Sequence, residues 1–154
     1  MDLILWRHAE AEIGDPHHDL DRALTAKGLK QAAKMADWLD RNLPESCRIL
    51  TSPAKRTLQT VTALQRKFKI VPELAPNATA EQVLAAANWP DSKEPVLIVG
   101  HQPTLGQIAA LLLGGNRQDW TIRKGNVWWL AHRERDDVES IYLRVAIAPD
   151  FLTK

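Results

Sequence analysis

The sequence predicts a layered α/β domain whose central sheet is mainly parallel and carries an antiparallel edge. Three observations carry that expectation. Apolar runs of strand length, LILW at residues 3–6, RILT at Arg48–Thr51 and VLIV at 96–99, alternate with segments of helical period. The last third of the chain changes character: two adjacent strand-like segments, 127–132 and 141–147, flank a charged stretch at 133–137. No internal repeat, low-complexity tract or linker interrupts the 154 residues, so one domain over residues 1–154 is expected.

Taken in order, the run at 3–6 is a buried strand that stops at Arg7-His8. Over residues 26–43, Leu29, Ala32, Ala33, Ala36, Leu39 and Leu43 fall on one helical face, which should cover the sheet and end before Pro44. The strand Arg48–Thr51 runs into Ser52-Pro53, a good N-cap followed by a good first helical residue, and Leu58, Val61, Leu64 and Phe68 continue in register. Residues 69–71 make a short strand before the proline-bracketed loop 72–76. Thr79-Ala80-Glu81-Gln82 is a capping box opening a helix to about Asn88. The strand at 96–99 leads through Gly100-His101-Gln102-Pro103 into a helix carrying Leu105, Ile108, Ala109 and Leu112, which Gly114-Gly115 ends. Residues 127–132 are apolar on both faces, while Ile141, Leu143, Val145 and Ile147 alternate with polar or small residues, which sets the second strand nearer an edge. Core packing accounts for Trp6, Trp38, Trp128 and Trp129, whereas Trp89 and Trp120 are candidates for a substrate rim.

Composition excludes several function classes. Twenty basic against nineteen acidic residues leave a formal charge of +1, so no global field points to nucleic acid or to an anionic membrane, and any anion site must be local. The lone Cys47 offers neither a disulfide nor metal-ligand spacing and reads as a small filler suited to a reducing compartment. An acidic second residue and no cleavage pattern argue against a signal peptide, and no stretch approaches the roughly 20 apolar residues of a membrane span. A cytoplasmic location is expected. The segment Asp15-Pro16-His17-His18-Asp19-Leu20-Asp21 has metal-compatible side chains, but they lie too close in sequence, with no helical i, i+4 spacing, to make a ligand set, so no metal and no cofactor is expected. His132 beside the charged stretch reads as structural.

Chemistry concentrates at the strand-to-helix junctions, where open α/β sheets bind ligands. The first supplies Arg7 and His8, the second Arg56 one turn into its helix, the third His101. Guanidinium forks match phosphate oxygens, and neutral imidazole is a nitrogen nucleophile whose ordinary pKa of about 6.5 keeps it available. Arginine neighbours favour that neutral form. The constellation thus points to a phosphoryl group held by arginines, attacked in line by one imidazole and stabilised by the other.

These residues resemble the histidine phosphatase, or phosphoglycerate-mutase-like, superfamily. Its Arg-His-Gly, Ser-Pro-x-x-Arg-x-x-x-Thr and second-histidine motifs are matched by Arg7-His8-Ala9, by Ser52-Pro53-Ala54-Lys55-Arg56-Thr57-Leu58-Gln59-Thr60 and by Gly100-His101-Gln102-Pro103. The run RHAEAE at 7–12, followed by Arg22-Ala23-Leu24-Thr25-Ala26-Lys27-Gly28, is similar to the compact SixA-type phosphohistidine phosphatases. The resemblance implies a three-layer α/β/α fold, with His8 as phospho-acceptor, Arg7 and Arg56 as phosphoryl clamp, His101 as stabiliser and Arg22 as a further anion contact. One departure bears on substrate: where the wider superfamily carries a catalytic acid, the loop here reads Pro72-Glu73-Leu74-Ala75-Pro76, leaving Glu73, Glu10 or Glu12 as candidate proton donors. An imidazole leaving group needs less acid assistance than an alkoxide, which favours phosphohistidine on a protein or peptide. The alternatives are a phosphatase of small phosphomonoesters and a non-catalytic phosphate-binding module; neither nucleic acid nor membrane is an expected partner.

Overall fold

The computed structural model describes residues 1–153. Its strands are β1 (Asp2–Arg7), β2 (Arg48–Thr51), β3 (Lys69–Ile70), β4 (Val96–Gly100), β5 (Val127–Arg135) and β6 (Val138–Ile147). They form one sheet in the order β3-β2-β4-β1-β5-β6. β1 to β4 are mutually parallel where they pair, and β5 and β6 add an antiparallel edge beside β1. The helices are α1 (Ala26–Asn42), α2 (Lys55–Thr62), α3 (Ala80–Ala87) and α4 (Thr104–Gly114), with a 3-10 segment kinked at His18 over Pro16–Asp21 and single 3-10 turns at Pro72–Leu74 and Pro149–Phe151.

Strand period two splits the apolar side chains between the two faces. Leu3, Leu5, Leu50, Val96, Ile98 and Leu130 pack under α3 and α4. Ile4, Trp6, Ile49, Leu97, Val99 and Val127 pack under α1 and α2 with Met35, Leu39 and Val61. That is the three-layer α/β/α arrangement. Cys47 belongs to the second core, where burial pushes its thiol up to about 11, as suits a filler.

Several local expectations need correction. Leu29 is exposed, because the buried stripe of α1 runs through Gly28, Ala32, Met35, Ala36 and Leu39, a step around the helix from it. Ser52 is not the cap of α2: the helix starts at Lys55 after Ala54, and it stops at Thr62 instead of continuing to Phe68 because Gln65 turns into the left-handed region (φ 57°). The charged turn shrinks to Asp136-Asp137, both with positive φ, and Arg133–Arg135 extend β5. That geometry matches the twist of a hairpin, and aspartate tolerates it better than most residues. The strict alternation along β6 also fails. An extra residue, Arg144, stands opposite the Trp129/Leu130 step, so Val145 and Ile147 join the α1/α2 face while Ile141 joins the other. Trp89 is buried against the His132 ring, with centroids 5.7 Å apart, rather than on a rim. Trp120 packs on Trp128 and accepts a hydrogen bond at its carbonyl from Gln102.

Candidate active site

Parallel pairing brings the ends of three strands level. Arg7 on β1 lies opposite Gly100 on β4, and Thr51 on β2 lies opposite Val99. The backbone N–H of His8 donates to the Gly100 carbonyl (3.1 Å), and that of Ser52 donates to Val99 (3.1 Å). His8, Ser52 and His101, each one residue beyond its strand, are therefore gathered at the carboxyl end of the sheet.

His8, Arg56 and His101 are only 5 %, 4 % and 4 % exposed, and the two imidazoles face each other with centroids 5.4 Å apart at 54°. His8 Nδ1 lies 2.7 Å from the Ala9 carbonyl. A carbonyl only accepts, so this contact puts the ring hydrogen on Nδ1 and leaves the Nε2 lone pair free. His101 Nε2 lies 2.7 Å from Ser52 Oγ, which also accepts from Ala54 N–H (3.2 Å). Ser52 is fully buried and its hydroxyl hydrogen needs an acceptor; donation to His101 Nε2 places that ring's hydrogen on Nδ1. The two rings thus present opposite functions, a bare nitrogen on His8 and an N–H on His101.

Both imidazoles are held neutral. Burial is the main cause for each: His8 falls to about 4, with the charges of Arg56, Arg7 and Arg22 adding to the shift against the Ala9 hydrogen bond. His101 falls to about 3 through burial, then through Arg56 and His8. Arg7 is itself lowered by burial and by the neighbouring Arg56 charge.

Arg7 Nη1 donates to the Ile122 carbonyl (3.0 Å), which fixes its fork. Arg56 donates to Asp19 twice, through Nη1 to the backbone carbonyl (2.8 Å) and through Nη2 to Oδ2 (3.1 Å). Arg22 takes the other carboxylate oxygen, Oδ1 (3.3 Å), and anchors its Nε on the Glu12 carbonyl (2.7 Å). Asp19 is a bridge between two cations. Its slight burial pushes the carboxyl up, but the bonds and charges of Arg56 and Arg22 outweigh this and hold it below its ordinary value. Three buried nitrogens of the site, Arg7 Nε, Arg56 Nε and His101 Nδ1, have no hydrogen-bond partner among the described residues. Each such orphan costs roughly 1–3 kcal/mol, and a phosphoryl group is rich in the acceptors they lack.

All four principal candidates are brought together, and Arg22 reaches the same cluster through Asp19. Glu73 is not among them: it lies exposed in a separate groove at the β3 edge beside Lys69 and Gln82. Glu10 lies nearer, its carboxylate accepting from Thr25 Oγ1 (2.7 Å), while Glu12 is exposed. The sequence reading missed the role of Ser52, read there as a helix cap, and that of Asp19, read there as part of a metal-compatible segment. Position supplied a signal for Ser52, since it follows a strand as His8 and His101 do; nothing local marks Asp19. Thr60 accepts from the Ala9 N–H (3.1 Å), which ties α2 to the loop after β1. Among the described residues, no three His, Cys, Asp or Glu side chains converge to hold a metal ion.

Comparison with known proteins is consistent with this geometry. Residues 3–79 match the model of the histidine phosphatase superfamily (branch 1). The phosphohistidine phosphatase SixA of Escherichia coli is 31% identical over 123 residues, covering 75% of this chain and 76% of that one. A SixA homolog of Haemophilus influenzae is 33% identical over 129 residues, covering 74% and 78%. A solved Agrobacterium tumefaciens structure with a provisional SixA assignment superposes with a TM-score of 0.79 at 26% identity, covering 96% of this chain and 97% of that one.

Proposed function

Because the chain belongs to the histidine phosphatase superfamily and is a phosphatase of that group, we propose that it hydrolyses phosphohistidine on a protein or peptide through a phospho-His8 intermediate. The observation that carries this reading is the paired imidazole arrangement, with a bare His8 Nε2 and a His101 N–H 5.4 Å apart between rings and both neutral. Arg7 and Arg56 hold the phosphoryl oxygens. His8 Nε2 attacks phosphorus in line, the substrate P–N bond breaks, and its electron pair stays on the departing imidazole, which takes up a proton from solvent. His101 donates to an equatorial oxygen as charge spreads over it. Water then adds to phosphorus, the P–Nε2 bond breaks, and inorganic phosphate and free His8 result.

The nature of the carboxylates supports an N–P substrate. Asp19, the carboxylate bonded to Arg56, is ionised at neutral pH and offers no proton, and Glu73 lies in another groove. Expelling an alkoxide benefits strongly from a general acid, while imidazole leaves more readily.

A rate panel over a phosphohistidine peptide, phosphoserine, phosphotyrosine and common metabolite phosphates tests the assignment. Wild type is expected to prefer the phosphohistidine peptide, and His8→Ala to lose at least about 10³-fold in rate. Negligible turnover of the peptide beside brisk hydrolysis of a small phosphomonoester would establish the alternative substrate class.

A further inference from the structure

A groove of about 900 Å³ begins at Arg7 and runs between α1, the segment before β5 and the turn after β6. Six cations line it: Arg7, Lys27, Lys30, Lys34, Arg123 and Lys124. Lys27, Lys30 and Lys34 recur at three- and four-residue steps on one face of α1. Two carboxylates oppose them, and of these Glu10 is already engaged by Thr25. The chain as a whole carries only +1, so the charge is concentrated here.

Among the described residues none of these cations is ion-paired with a carboxylate, as is also true of Lys55, Lys67, Lys69 and Lys93 elsewhere; what sets them apart is that six converge on one groove. By contrast, Arg22, Arg41, Arg66, Arg117, Arg133 and Arg144 are all ion-paired with carboxylates. Lys27 and Lys30 also sit at the start of α1, where the helix dipole disfavours a cation, and its first turn holds no acidic residue. The cluster is electrostatically unfavourable in isolation. It is also joined to the catalytic end of the sheet. The Gly125 N–H, next to Arg123-Lys124, donates to the carbonyls of Arg7 (3.1 Å) and His8 (2.9 Å).

We propose that this groove docks an acidic face of the phosphoprotein substrate, pairing carboxylates that flank the phosphohistidine with Lys27, Lys30, Lys34, Arg123 and Lys124. This rests on the phosphohistidine reading above. A protein face fits better than a small polyanion because the far end of the groove carries the apolar Ala148, Pro149 and an 81 % exposed Phe151 beside the carboxylate of Asp150. A polyphosphate has no use for that end.

The test measures affinity rather than turnover. A fluorescent peptide carrying the non-hydrolysable phosphotriazolylalanine is made with Asp/Glu flanks and, as a twin, with Ser/Gln flanks. Anisotropy is expected to show the acidic peptide bound about tenfold tighter, with the advantage lost as salt is raised. K27A/K30A/K34A should abolish the preference, while K67A/K69A/K93A, the same charge change elsewhere, should keep it. Equal affinity for the twins, a preference that survives in K27A/K30A/K34A, or lysine-dependent binding of inositol hexakisphosphate without any for the acidic peptide overturns the proposal. Failure of the phosphohistidine reading looks different: lysine-dependent binding persists, but the authentic phosphohistidine peptide is not hydrolysed.

Discussion

Ser52 shows how one hydroxyl sets the chemistry of a neighbour. Its donation to His101 Nε2 determines which imidazole nitrogen keeps the proton, and its own acceptance from Ala54 fixes its direction. Ser52→Ala is expected to lower kcat about tenfold with little change in KM, because it disturbs the orientation of His101, the proposed transition-state donor, and leaves the proposed arginine clamp intact. Steady-state kinetics on the preferred substrate check this, and an unchanged kcat would remove Ser52 from the account. Asp19 acts in the opposite sense by occupying the guanidinium proposed to receive a phosphoryl group. Asp19→Asn keeps the shape but removes the charge. It is expected to tighten inhibition by inorganic phosphate or vanadate several-fold, read from inhibition constants; weaker inhibition would mean that Asp19 orients Arg56 more than it competes for it. At this scale the sequence was most legible where a residue type names its own chemistry. Arg7, His8, Arg56 and His101 stood out at strand and helix ends, whereas Asp19 sits in a polar loop whose course depends on tertiary contacts.

At the scale of elements, the segment from Leu24 to Gly28 explains how a loop of sequence is pressed onto the active end of β1. Thr25 caps α1 by accepting from the Gly28 N–H (2.9 Å) and also donates to the Glu10 carboxylate. Gly28 is the contact point: a Cβ there would stand 2.0 Å from the Glu10 carbonyl oxygen. Gly28→Ala is expected to cost about 1–3 kcal/mol in denaturant unfolding and to depress activity by shifting the loop that begins at His8. Wild-type stability in that variant would show that the helix and loop can separate without cost. The helices and the parallel strands were legible because their periods differ and their apolar stripes are continuous. The β6 bulge, the Asp136-Asp137 turn and the early end of α2 were not. Each depends on a backbone conformation at one or two residues that carry no glycine or proline to announce it.

The whole molecule carries the electrostatic consequence of burying two neutral histidines. Both have folded pKa values, about 4 and about 3, below the ordinary 6.5 that they regain on unfolding. Between those limits the unfolded chain binds more protons, so stability is full above about pH 6.5 and is lost as pH falls toward 4 and 3. The charge state of these two groups in the free enzyme stays constant above about pH 5, so they should leave kcat/KM flat from about pH 5 to 8. Thermal melts of wild type and of His101→Gln across pH 3–8 check the stability claim. The wild type is expected to lose Tm more steeply below pH 6.5, and parallel curves would contradict it.

The central claim is that His8 Nε2 carries the phosphoryl group. The most direct measurement is rapid quenching of the reaction with a ³²P-phosphohistidine peptide, followed by peptide mapping of the labelled enzyme. Acid-labile, base-stable label on His8, absent from His8→Ala, is the predicted result; label that persists in His8→Ala, or that maps to another residue, would contradict it.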